Sequence, residues 1–565
     1  MILLRRLHTK SVPRLYSVSS ELLDSQVLPR IPTHELLARL QYVSPPKPGL
    51  VHWMPMGMLV LNKMKQLVHK HMQDAGAEEI SLSALSHSDL WKQTGRWGGA
   101  ELFRLKDSKG AEYCLAPTCE EEITHLVQQN VASYKNLPLL FYQINTKFRD
   151  EKRPRSGLLR GREFVMKDAY SFDVSEAEAM RAYETMSRAY AGVFAALRAP
   201  CVRADADTGE IGGSMSHEWH YVHAAGEDTL FECTDCGRTS NVEMTPSFPA
   251  EDAAEPSKTS LEAAVAYFPT IDRSTLVCAY YPVSRAFRPA FLRETVPDID
   301  LSGTLSEEEV LALFRDEATI IDKRVVRIMD SRLDSRSNLP DFPVKFANRS
   351  LVSTLTDVPL VEAEEGELCA HCDSGTLRSS RAIEVAHTFY LGDRYTRALD
   401  CTVEVPGADG TVSRQPVLMG CYGIGISRII AALAEINRDS HGLRWPAAIA
   451  PWHVTVVDAG AQEQAHEVAR SLGDMEVRLD ARPSVRLGRK IRESHAMGIP
   501  LVLVVGKRYP TVEIEVRGRQ HGCSWETVRQ ESSFDWIVET GASHTKHIVD
   551  CANAPKVAAA LLADM

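Results

Sequence analysis

Two Cys-x-x-Cys pairs, Cys233–Cys236 and Cys369–Cys372, lie about 130 residues apart and constrain the fold more than any other feature. Each pair is followed shortly by a glycine, and two such pairs suit a tetrahedral zinc ion held by four thiolates. One ion reaches both pairs only if the ends of the intervening segment meet in space. The cysteine pattern predicts structural zinc at the two ends of this segment; reduced or redox-active cysteines are the alternative. The strand-like runs AAVAYF, STLVCAYY and KRVVRIM, which lie among helical ones, predict that the segment is an inserted α/β module.

The rest of the composition is that of an ordinary globular protein. A chain of 565 residues exceeds one core and predicts three or four domains. Apolar residues at 44% and charged residues at 25% exclude a mostly disordered or fibrous chain. Twelve cysteines are too few for a disulfide scaffold. No apolar run approaches the roughly 20 residues that span a bilayer, which excludes a transmembrane role.

The first twenty residues are basic and contain no acid; the basic residues are Arg5, Arg6, Lys10 and Arg14. An Arg-rich, acid-poor segment is typical of a mitochondrial presequence, so residues 1–20 are predicted to be a targeting segment and the protein to lie in the mitochondrial matrix. A plain flexible N-terminus, on a cytosolic protein, is the alternative.

Apolar periodicity predicts the main elements. It indicates one helix over Met56 to Gly76 and a second after Asp173, where Ser175 and Glu178 form a capping box. Two strand-like runs flank a basic loop between these helices. After Pro451, strands alternate with helices, which predicts a small α/β domain with a largely parallel sheet.

A basic segment stands out in a chain whose net charge is −11. Residues 143–167 contain eight Lys or Arg and three Asp or Glu, a local concentration suited to a nucleic acid or another anionic ligand; a solvated face is the alternative. Within it, Arg149 and Glu151 face the same side of a strand, Arg149 towards an anion and Glu151 towards an amine. A surface ion pair is the alternative for these two residues.

Two further segments are candidates for ligand contact. Glycines at 420, 423 and 425 precede Arg428 at the start of a helix, which suits close approach to an anion or, alternatively, tight helix packing. Thr118 and Glu120 precede another helix; acids placed to suit the helix dipole are the alternative there.

These segments resemble the class II aminoacyl-tRNA synthetases, and among them the bacterial-type prolyl-tRNA synthetases. The resemblance covers about residues 50–235 and 380–550. The motifs that carry it are CLAPTCEEEIT, FYQINTKFRDEKRPRSGLLRGREFVMKDAYSFD, GEIGGSMSHEW, HTFYLGDRYT, MGCYGIGISRI and WPAAIAP.

The resemblance implies an α/β protein whose α+β catalytic domain has an antiparallel sheet flanked by helices, with an α/β insertion and a C-terminal α/β anticodon-binding domain. It implies activation of L-proline with ATP, accompanied by Mg2+, and transfer of proline to the 3′ end of tRNA(Pro). Arg149 is then expected to hold the α-phosphate and Glu151 the adenine amino group. Phe164 would stack on adenine, and Arg428 would cover its other face and reach the γ-phosphate.

For proline, the resemblance implies that Thr118 and Glu120 hold the cationic ring nitrogen. Cys421 and His217, with the Gly213–Ser214 loop, are expected to line the small pocket. The reaction needs no protein nucleophile, so Cys421 is interpreted as pocket wall.

The implied domains are a first catalytic part over 21–236, an insertion over 237–368, a second catalytic part over 369–450 and an anticodon-binding domain over 451–565. Bacterial-type members carry an editing domain in the insertion, because a proline pocket rejects alanine weakly. This insertion is shorter than that domain, and Ser274 stands where the family has a functional lysine. It is therefore predicted to be degenerate and not to edit.

The last domain has 14 Lys or Arg and 15 Asp or Glu, so its charge alone does not indicate RNA. Arg482, Arg489 and Lys490 cluster within it and are predicted to contact tRNA; solvated helix faces are the alternative.

A homodimer is also implied, although Ser83 replaces the proline usual at the family's interface. Two rival functions are the same fold activating another small amino acid, and a silent RNA-binding or accessory relative. The second is disfavoured because Arg149 and Arg428 are both present.

Overall fold

The chain forms two compact units in the computed structural model. The first runs to Cys201 and continues over Thr208–Met215 and Val385–Met565, and the second comprises Val202–Asp207 and Ser216–Glu384. The structure describes residues 18–19, 21–155, 157–250, 261–315, 323–333, 337, 339–340, 343–344, 351–372, 374–406, 411–541 and 544–565. Apart from positions 18 and 19, the predicted targeting segment lies outside these residues.

Both helices predicted from periodicity are confirmed in the first unit. The first spans Pro55–Asp74 and is followed by Gly76, whose φ of 80° suits a glycine. The second spans Glu176–Ala196, and Ser175 and Glu178 form its capping box. The other α-helices that the structure describes in this unit are Thr33–Arg39, Ser88–Gln93, Glu120–Asn130, Arg394–Ala398, Ile426–Asn437, Gln462–Ser471, Leu487–Met497, Ser524–Gln530 and Ala554–Leu562.

A mainly antiparallel sheet carries the two predicted strands beside the basic loop. Leu139–Phe148 pairs antiparallel with Glu163–Asp173, which pairs with Leu418–Ile424. Leu418–Ile424 pairs in turn with residues 386–392 of the strand Leu377–Gly392, and Glu78–Glu79 lies parallel to Leu139–Phe148 at the edge. The smaller strands before residue 420 in this unit are Val43–Lys47, Leu50–Trp53, Leu85–His87, Phe103–Lys106, Glu112–Leu115, Thr402–Pro406 and Val412–Pro416.

Helices cover one face of this sheet. The apolar sides of Pro55–Asp74, Glu176–Ala196 and Ile426–Asn437 pack on each other and on the strands, and Ile426–Asn437 is buried over most of its length. Arg149, which follows the strand Leu139–Phe148, and Arg428, on the helix Ile426–Asn437, are therefore attached to closely packed elements. Among the described residues, no helix combines the length and apolar character needed to span a bilayer.

The C-terminal sheet is only half parallel, so the prediction of a largely parallel sheet is wrong for its second half. Its strand order is Val477–Asp480, Val454–Asp458, Leu501–Val505, Thr511–Val516, Thr545–Asp550 and Trp536–Thr540. The first three strands are parallel, and each later pairing is antiparallel. A short turn joins Leu501–Val505 to Thr511–Val516, and only four positions of the sequence separate Trp536–Thr540 from Thr545–Asp550. Connections this short permit only antiparallel neighbours.

The second unit contains a four-stranded sheet with apolar clusters on both faces. Its strand order is Ala263–Pro269, Thr275–Pro282, Arg324–Asp330 and Val352–Val358. The described α-helices of the unit are Leu292–Thr295 and Glu307–Arg315. Its remaining strands are Val202–Asp205, Met215–Val222 from Ser216 on, Asp228–Cys233, Thr239–Asn241, Ser247–Phe248, Leu368–Cys369 and Leu377–Gly392 as far as Glu384.

Candidate active site

Thr118 and Glu120 lie at the start of the helix Glu120–Asn130, just after the strand Glu112–Leu115. Glu120 and its neighbour Glu121 are both fully buried. A helix N-terminus favours negative charge, which makes acids acceptable here. The dipole does not explain their burial, because carboxylates are almost never fully buried unless they have partners.

Arg96 is the partner that joins these groups, and the sequence analysis did not single it out. Its Nη1 donates to both carboxylate oxygens of Glu121, at 3.0 and 3.1 Å, and to Glu120 Oε2 at 3.2 Å. Its Nη2 donates to Thr118 Oγ1 at 3.2 Å. The guanidinium also lies 4.8 Å from the ring centre of Trp91, and only 11% of the side chain is exposed. One cation thus faces two buried carboxylates.

The two carboxylates differ in their affinity for a proton. Burial opposes ionisation of Glu120, but Arg96 and hydrogen bonds from Cys421 and Thr118 outweigh it and lower its pKa. Burial raises the pKa of Glu121 to about 7; Arg96 opposes this shift, and the charge of Glu120 adds to it. Glu120 is therefore the ionised acceptor at neutral pH, while Glu121 titrates there.

Cys421 completes the surroundings of Glu120. It is buried in the strand Leu418–Ile424, and its Sγ donates to Glu120 Oε1 at 3.0 Å. Burial, with the nearby charge of Glu120, raises the pKa of the thiol well above its usual range. The structure thus brings Thr118, Glu120 and Cys421 together, and it keeps Cys421 in its unreactive thiol form.

A second buried polar layer supports this turn from the sheet. Lys147 Nζ lies 3.0 Å from Asp168 Oδ2 and 2.9 Å from Cys119 Sγ. Asp168 Oδ2 also accepts from Gln143 Nε2 at 2.9 Å and from the Tyr170 hydroxyl at 2.8 Å. Since buried polar networks hold their members in one arrangement when their bonds are made, the layer fixes the position of residue 119, just before Glu120.

Arg149 and Phe164 lie together where two neighbouring strands meet the basic loop. The strand Leu139–Phe148 ends before Arg149, so the prediction that Arg149 and Glu151 face the same side of a strand is wrong. The Arg149 guanidinium is 5.3 Å from the ring centre of Phe164, and Arg149 N donates to Arg162 O at 2.9 Å. Arg149 Nε is buried and has no hydrogen-bond partner among the described residues; Glu101 Oε2 is 3.9 Å away. A buried donor without a partner is costly, so it is suited to a ligand acceptor.

Glu151 is held by an ion pair. Its Oε2 accepts from Arg160 Nε at 2.8 Å, and its backbone carbonyl accepts from Arg162 Nε at 3.0 Å. Glu151 is nearly buried whereas the Arg160 side chain is 44% exposed. The sequence analysis gave a surface ion pair between Arg149 and Glu151 as an alternative. Glu151 does form an ion pair, but its partner is Arg160 and not Arg149.

Arg428 lies in the first turn of the helix Ile426–Asn437. Its Nε donates to the Leu159 carbonyl at 2.9 Å, in the loop between the two central strands. The preceding Ser427 Oγ accepts from Val165 N at 2.9 Å, which fixes the helix start against the strand that carries Phe164. Arg428 is thereby joined to the basic loop.

The glycine loop before residue 216 lies against the first unit's sheet. Ser214 N donates to Tyr390 O at 3.1 Å, and a Cβ on Gly213, whose φ is 105°, would meet that oxygen at 2.2 Å. The Tyr395 hydroxyl donates to Ile211 O at 2.9 Å. Tyr395 and Cys421 belong to one buried cluster, so the loop is tied to the cluster that contains Cys421.

His217 lies in the second unit, where its Nε2 is 3.1 Å from Asp205 Oδ1. Hydrogen bonds from His217 and Arg238 outweigh burial and lower the pKa of Asp205 to about 2. The role of His217 in the proline pocket stays a prediction.

The four predicted metal ligands are adjacent. The Sγ atoms of Cys233, Cys236, Cys369 and Cys372 all lie within 4.8 Å of one another, and those of Cys233 and Cys372 are 3.5 Å apart. Gly237 N donates to Cys233 O, and His371 N donates to Cys369 Sγ at 3.4 Å. The ends of the intervening segment do meet.

The predicted tRNA-binding residues have partners within the C-terminal domain. Arg482 pairs with Asp480 and Glu493, and Arg489 Nε donates to Glu493 Oε1 at 2.9 Å. Lys490 is 3% exposed, and its Nζ donates to Asp458 O. Contact between these residues and tRNA stays a prediction, and the burial of Lys490 favours a structural role for it.

Comparison with known proteins identifies the family of the chain. The class II tRNA synthetase core domain (G, H, P, S and T) matches residues 103–437, and the anticodon binding domain matches residues 447–540. A cytoplasmic proline–tRNA ligase of Candida albicans is 48% identical, over all of both chains. The chain belongs to the class II aminoacyl-tRNA synthetases, among the proline–tRNA ligases.

Other members of the proline–tRNA ligase family extend the comparison. A probable mitochondrial proline–tRNA ligase of Saccharomyces cerevisiae is 39% identical over 97% of each chain. The crystal structure of a Cryptosporidium parvum prolyl-tRNA synthetase with L-proline and AMP has a TM-score of 0.57 at 11% identity, and covers 98% of this chain and 81% of that one. At such low identity this structure shows that the fold is shared.

The residues that sequence reasoning missed in this proline–tRNA ligase lie far from the motifs they serve. Arg96 precedes Glu120 by more than twenty positions, and Tyr395 lies in a different motif. The signal available for Arg96 was Gly95, whose φ of 77° turns the chain just before it. A glycine in a turn predicts a bend in the chain, but it does not predict that the next residue, Arg96, pairs with buried carboxylates.

Proposed function

We propose that this proline–tRNA ligase activates L-proline with ATP, forming prolyl-adenylate and pyrophosphate, and transfers the prolyl group to the 3′ end of tRNA(Pro). The observation that carries the proposal is the buried, ionised Glu120, which is joined to Cys421 directly and to Thr118 through Arg96 by hydrogen bonds. Arg96 is shared between Glu120 and Glu121, so when both carboxylates are ionised the ring nitrogen of proline supplies the second positive charge.

In this proposal Glu120 and Thr118 hold the ring nitrogen while Cys421 and His217 line the pocket. Arg149, Glu151, Phe164 and Arg428 form the ATP site. The unpartnered Arg149 Nε supports the assignment of the α-phosphate to Arg149, because a guanidinium donates to phosphate in a fixed geometry. Mg2+ bound together with ATP would screen the charge of the phosphates.

Two displacements make up the reaction. A carboxylate oxygen of proline attacks the α-phosphorus, forming the acyl–phosphate bond as pyrophosphate leaves. A ribose hydroxyl at the 3′ end of the tRNA then attacks the carbonyl carbon and gives up its proton to the phosphate of the adenylate, and AMP leaves with the bonding electrons. Arg149 stabilises the charge that develops on the α-phosphate, and this preorganised electrostatic role requires no covalent enzyme intermediate.

Proline-dependent ATP–pyrophosphate exchange tests the activation step. Exchange is expected with proline, far less with alanine, and is expected to fall at least a hundredfold in Arg149→Ala because a charge-stabilising donor is lost. Arg181→Ala is the matched control, since Arg181 is highly exposed on the helix Glu176–Ala196. Undiminished exchange in Arg149→Ala would contradict the assigned role.

We assign residues 21–236 and 369–450 to the catalytic domain, 237–368 to an insertion that does not edit, and 451–565 to anticodon binding. The insertion assignment is supported by Ser274, whose backbone N–H donates to Asp272 Oδ1 in the turn before the strand Thr275–Pro282. A hydroxyl there does not replace the cationic side chain of the family. Purified enzyme incubated with alanyl-tRNA(Pro) is expected to leave it intact, and clear hydrolysis would overturn the assignment.

We also propose that Cys233, Cys236, Cys369 and Cys372 bind one structural Zn2+. A tetrahedral ion with Zn–S bonds of about 2.3 Å separates its sulfurs by about 3.8 Å, close to the spacing here. Near-stoichiometric zinc is expected in the purified protein, and Cys233→Ser should lose it and melt at lower temperature. Cys523→Ser, which changes an exposed cysteine, is the control. Metal-free protein that Cys233→Ser leaves equally stable would favour reduced or redox-active thiols.

A mitochondrial location is proposed from the acid-free basic segment 1–20, and the name of the yeast relative supports it. The Candida albicans relative is named cytoplasmic, which favours the alternative. Fluorescent protein carrying residues 1–20 is expected to enter mitochondria, and Arg5→Gln with Arg6→Gln should reduce import. Uniform cytosolic fluorescence would support the cytosolic alternative.

For its partners, we propose that the enzyme is a homodimer and that Arg482 and Arg489 lie at the tRNA-binding surface, while the buried Lys490 supports that surface through its bond to Asp458 O. Ser83 Oγ donates to Leu85 O at 2.8 Å, so the serine that replaces the family's proline still shapes a tight turn. Sedimentation equilibrium is expected to give twice the chain mass of 62.8 kDa. A single-chain mass would contradict the dimer.

A further inference from the structure

The buried group around Arg96 has more negative than positive charge. Arg96 is within hydrogen-bond distance of Glu120 and Glu121, and both carboxylates are fully buried. Thr94 Oγ1 adds a neutral donor to Glu121 Oε1 at 3.0 Å. When both carboxylates are ionised, the set lacks one positive charge, and a buried charge without a counterion is strongly unfavourable.

The same contacts fix the two groups assigned to the proline nitrogen. The two terminal nitrogens of Arg96 donate hydrogen bonds to Glu120 Oε2 and Thr118 Oγ1, and the thiol of Cys421 donates to Glu120 Oε1. Because the guanidinium is planar and braced against the Trp91 ring, it holds the carboxylate and the hydroxyl in one relative orientation. Glu121 in turn anchors Arg96 through both of its oxygens.

We propose that Arg96 and Glu121 are positioning residues for proline: Arg96 orients Glu120 and Thr118, and Glu121 gives the buried set the second negative charge that the cationic ring nitrogen neutralises. This inference rests on the proposed assignment of Glu120 and Thr118 to the ring nitrogen. The two negative charges would also favour proline over neutral or anionic compounds of similar size, because such compounds bring no positive charge to balance the buried carboxylates.

Protonation of Glu121 provides an independent signature. The charged and titratable groups around it are Arg96, Glu120, Glu122, Cys114 and Tyr395. Burial raises the pKa of Cys114 to about 12 and that of Tyr395 above its usual range, so both stay neutral near pH 7. Ionisation of Glu121 with rising pH strengthens the attraction for a cation, so the KM for proline should fall as the pH rises through about 7.

Exchange kinetics of matched variants test the proposal. Arg96→Lys keeps the charge but not the two-armed geometry, and Glu121→Gln keeps the shape but not the charge. Both are expected to raise the KM for proline about tenfold while the KM for ATP and kcat change less than about twofold, as for a loss of uniform substrate binding. Glu121→Gln should also abolish the pH dependence of the proline KM. Glu112→Gln is the control, because Glu112 pairs with Lys92 and Lys106, outside the Arg96 set.

Glu120→Gln separates the inference from the proposed function. If Glu120→Gln leaves the KM for proline unchanged, the assigned proline site is wrong. If it raises that KM while Arg96→Lys and Glu121→Gln do not, the site stands and the positioning roles are overturned. A parallel loss of kcat and ATP affinity, with a lower melting temperature, would show a merely structural role. Glu121→Gln decides the question if Arg96→Lys does not fold.

Discussion

At the scale of single residues, the role of a cysteine in this site follows from its burial. Cys421 is 4% exposed and donates a hydrogen bond to the carboxylate of Glu120. Burial and the nearby negative charge raise the pKa of the thiol, so it stays protonated and is a poor nucleophile. We expect Cys421→Ala to retain proline-dependent exchange, with the KM for proline raised about fivefold by the loss of one hydrogen bond. Cys401→Ala, another buried cysteine, is the control. Complete loss of exchange in folded Cys421→Ala would require a chemical role.

The residue scale also shows what the sequence could not reveal. The candidates Thr118, Glu120 and Cys421 were predictable because each lies in a motif with a characteristic neighbourhood. Arg96 was not, because its importance comes from two carboxylates that reach it only through the fold. The burial of an arginine and the identity of its ion-pair partners depend on tertiary structure. The sequence immediately around Arg96 therefore predicts neither of them.

At the scale of elements, a buried ion network joins the insertion module to its base. Arg332, 2% exposed, lies between Asp330 at 3.2 Å and Glu367 at 2.7 Å, and Arg285 Nη1 donates to Glu367 at 2.9 Å. Asp330 ends the strand Arg324–Asp330, while Glu367 precedes the strand that contains Cys369. The network therefore connects the four-stranded sheet to the cysteine cluster.

Glu367→Gln is expected to destabilise this module by about 3 kcal/mol, because it leaves buried arginines short of a counterion. Burial opposes the ionisation of Glu367, but Arg285 and Arg332 outweigh it and lower its pKa to about 2. The stabilisation is thus complete above the unfolded-state pKa of about 4.3 and is lost as the pH falls towards about 2. Hydrogen exchange read by mass spectrometry should show faster exchange in the strand Thr275–Pro282. The exposed Glu308→Gln is the control, and equal exchange in both variants would contradict the prediction.

Local signals explain which elements were predictable. The helix Glu176–Ala196 was found because its cap, Ser175 with Glu178, is a contact between neighbours in the sequence. The second half of the C-terminal sheet was missed because periodicity identifies a strand but not its partner. Strand direction there depends on short turns, such as the one between Val505 and Thr511.

At the scale of the whole molecule, the first unit joins the helix of Arg428 to the C-terminal domain. Asp439 follows the helix Ile426–Asn437 and accepts two hydrogen bonds from Arg517, at 2.5 and 2.7 Å. Arg517 is 6% exposed and also donates to the carbonyl oxygen of His495, on the helix Leu487–Met497 that carries Arg489. A continuous set of contacts therefore runs between the proposed ATP and tRNA sites.

Arg517→Lys is expected to loosen this connection without altering the chemistry of activation, because lysine cannot make the two-pronged contact with Asp439. The kcat/KM for tRNA(Pro) in aminoacylation should fall about tenfold, while proline-dependent exchange changes less than about twofold. Arg470→Lys, an exposed change on the helix Gln462–Ser471, should leave both rates unaltered. An equal fall of exchange and aminoacylation in Arg517→Lys would place its effect on the catalytic domain itself. No change in either rate would show that the pair does not transmit the orientation of the C-terminal domain to the site where the 3′ end of the tRNA reacts.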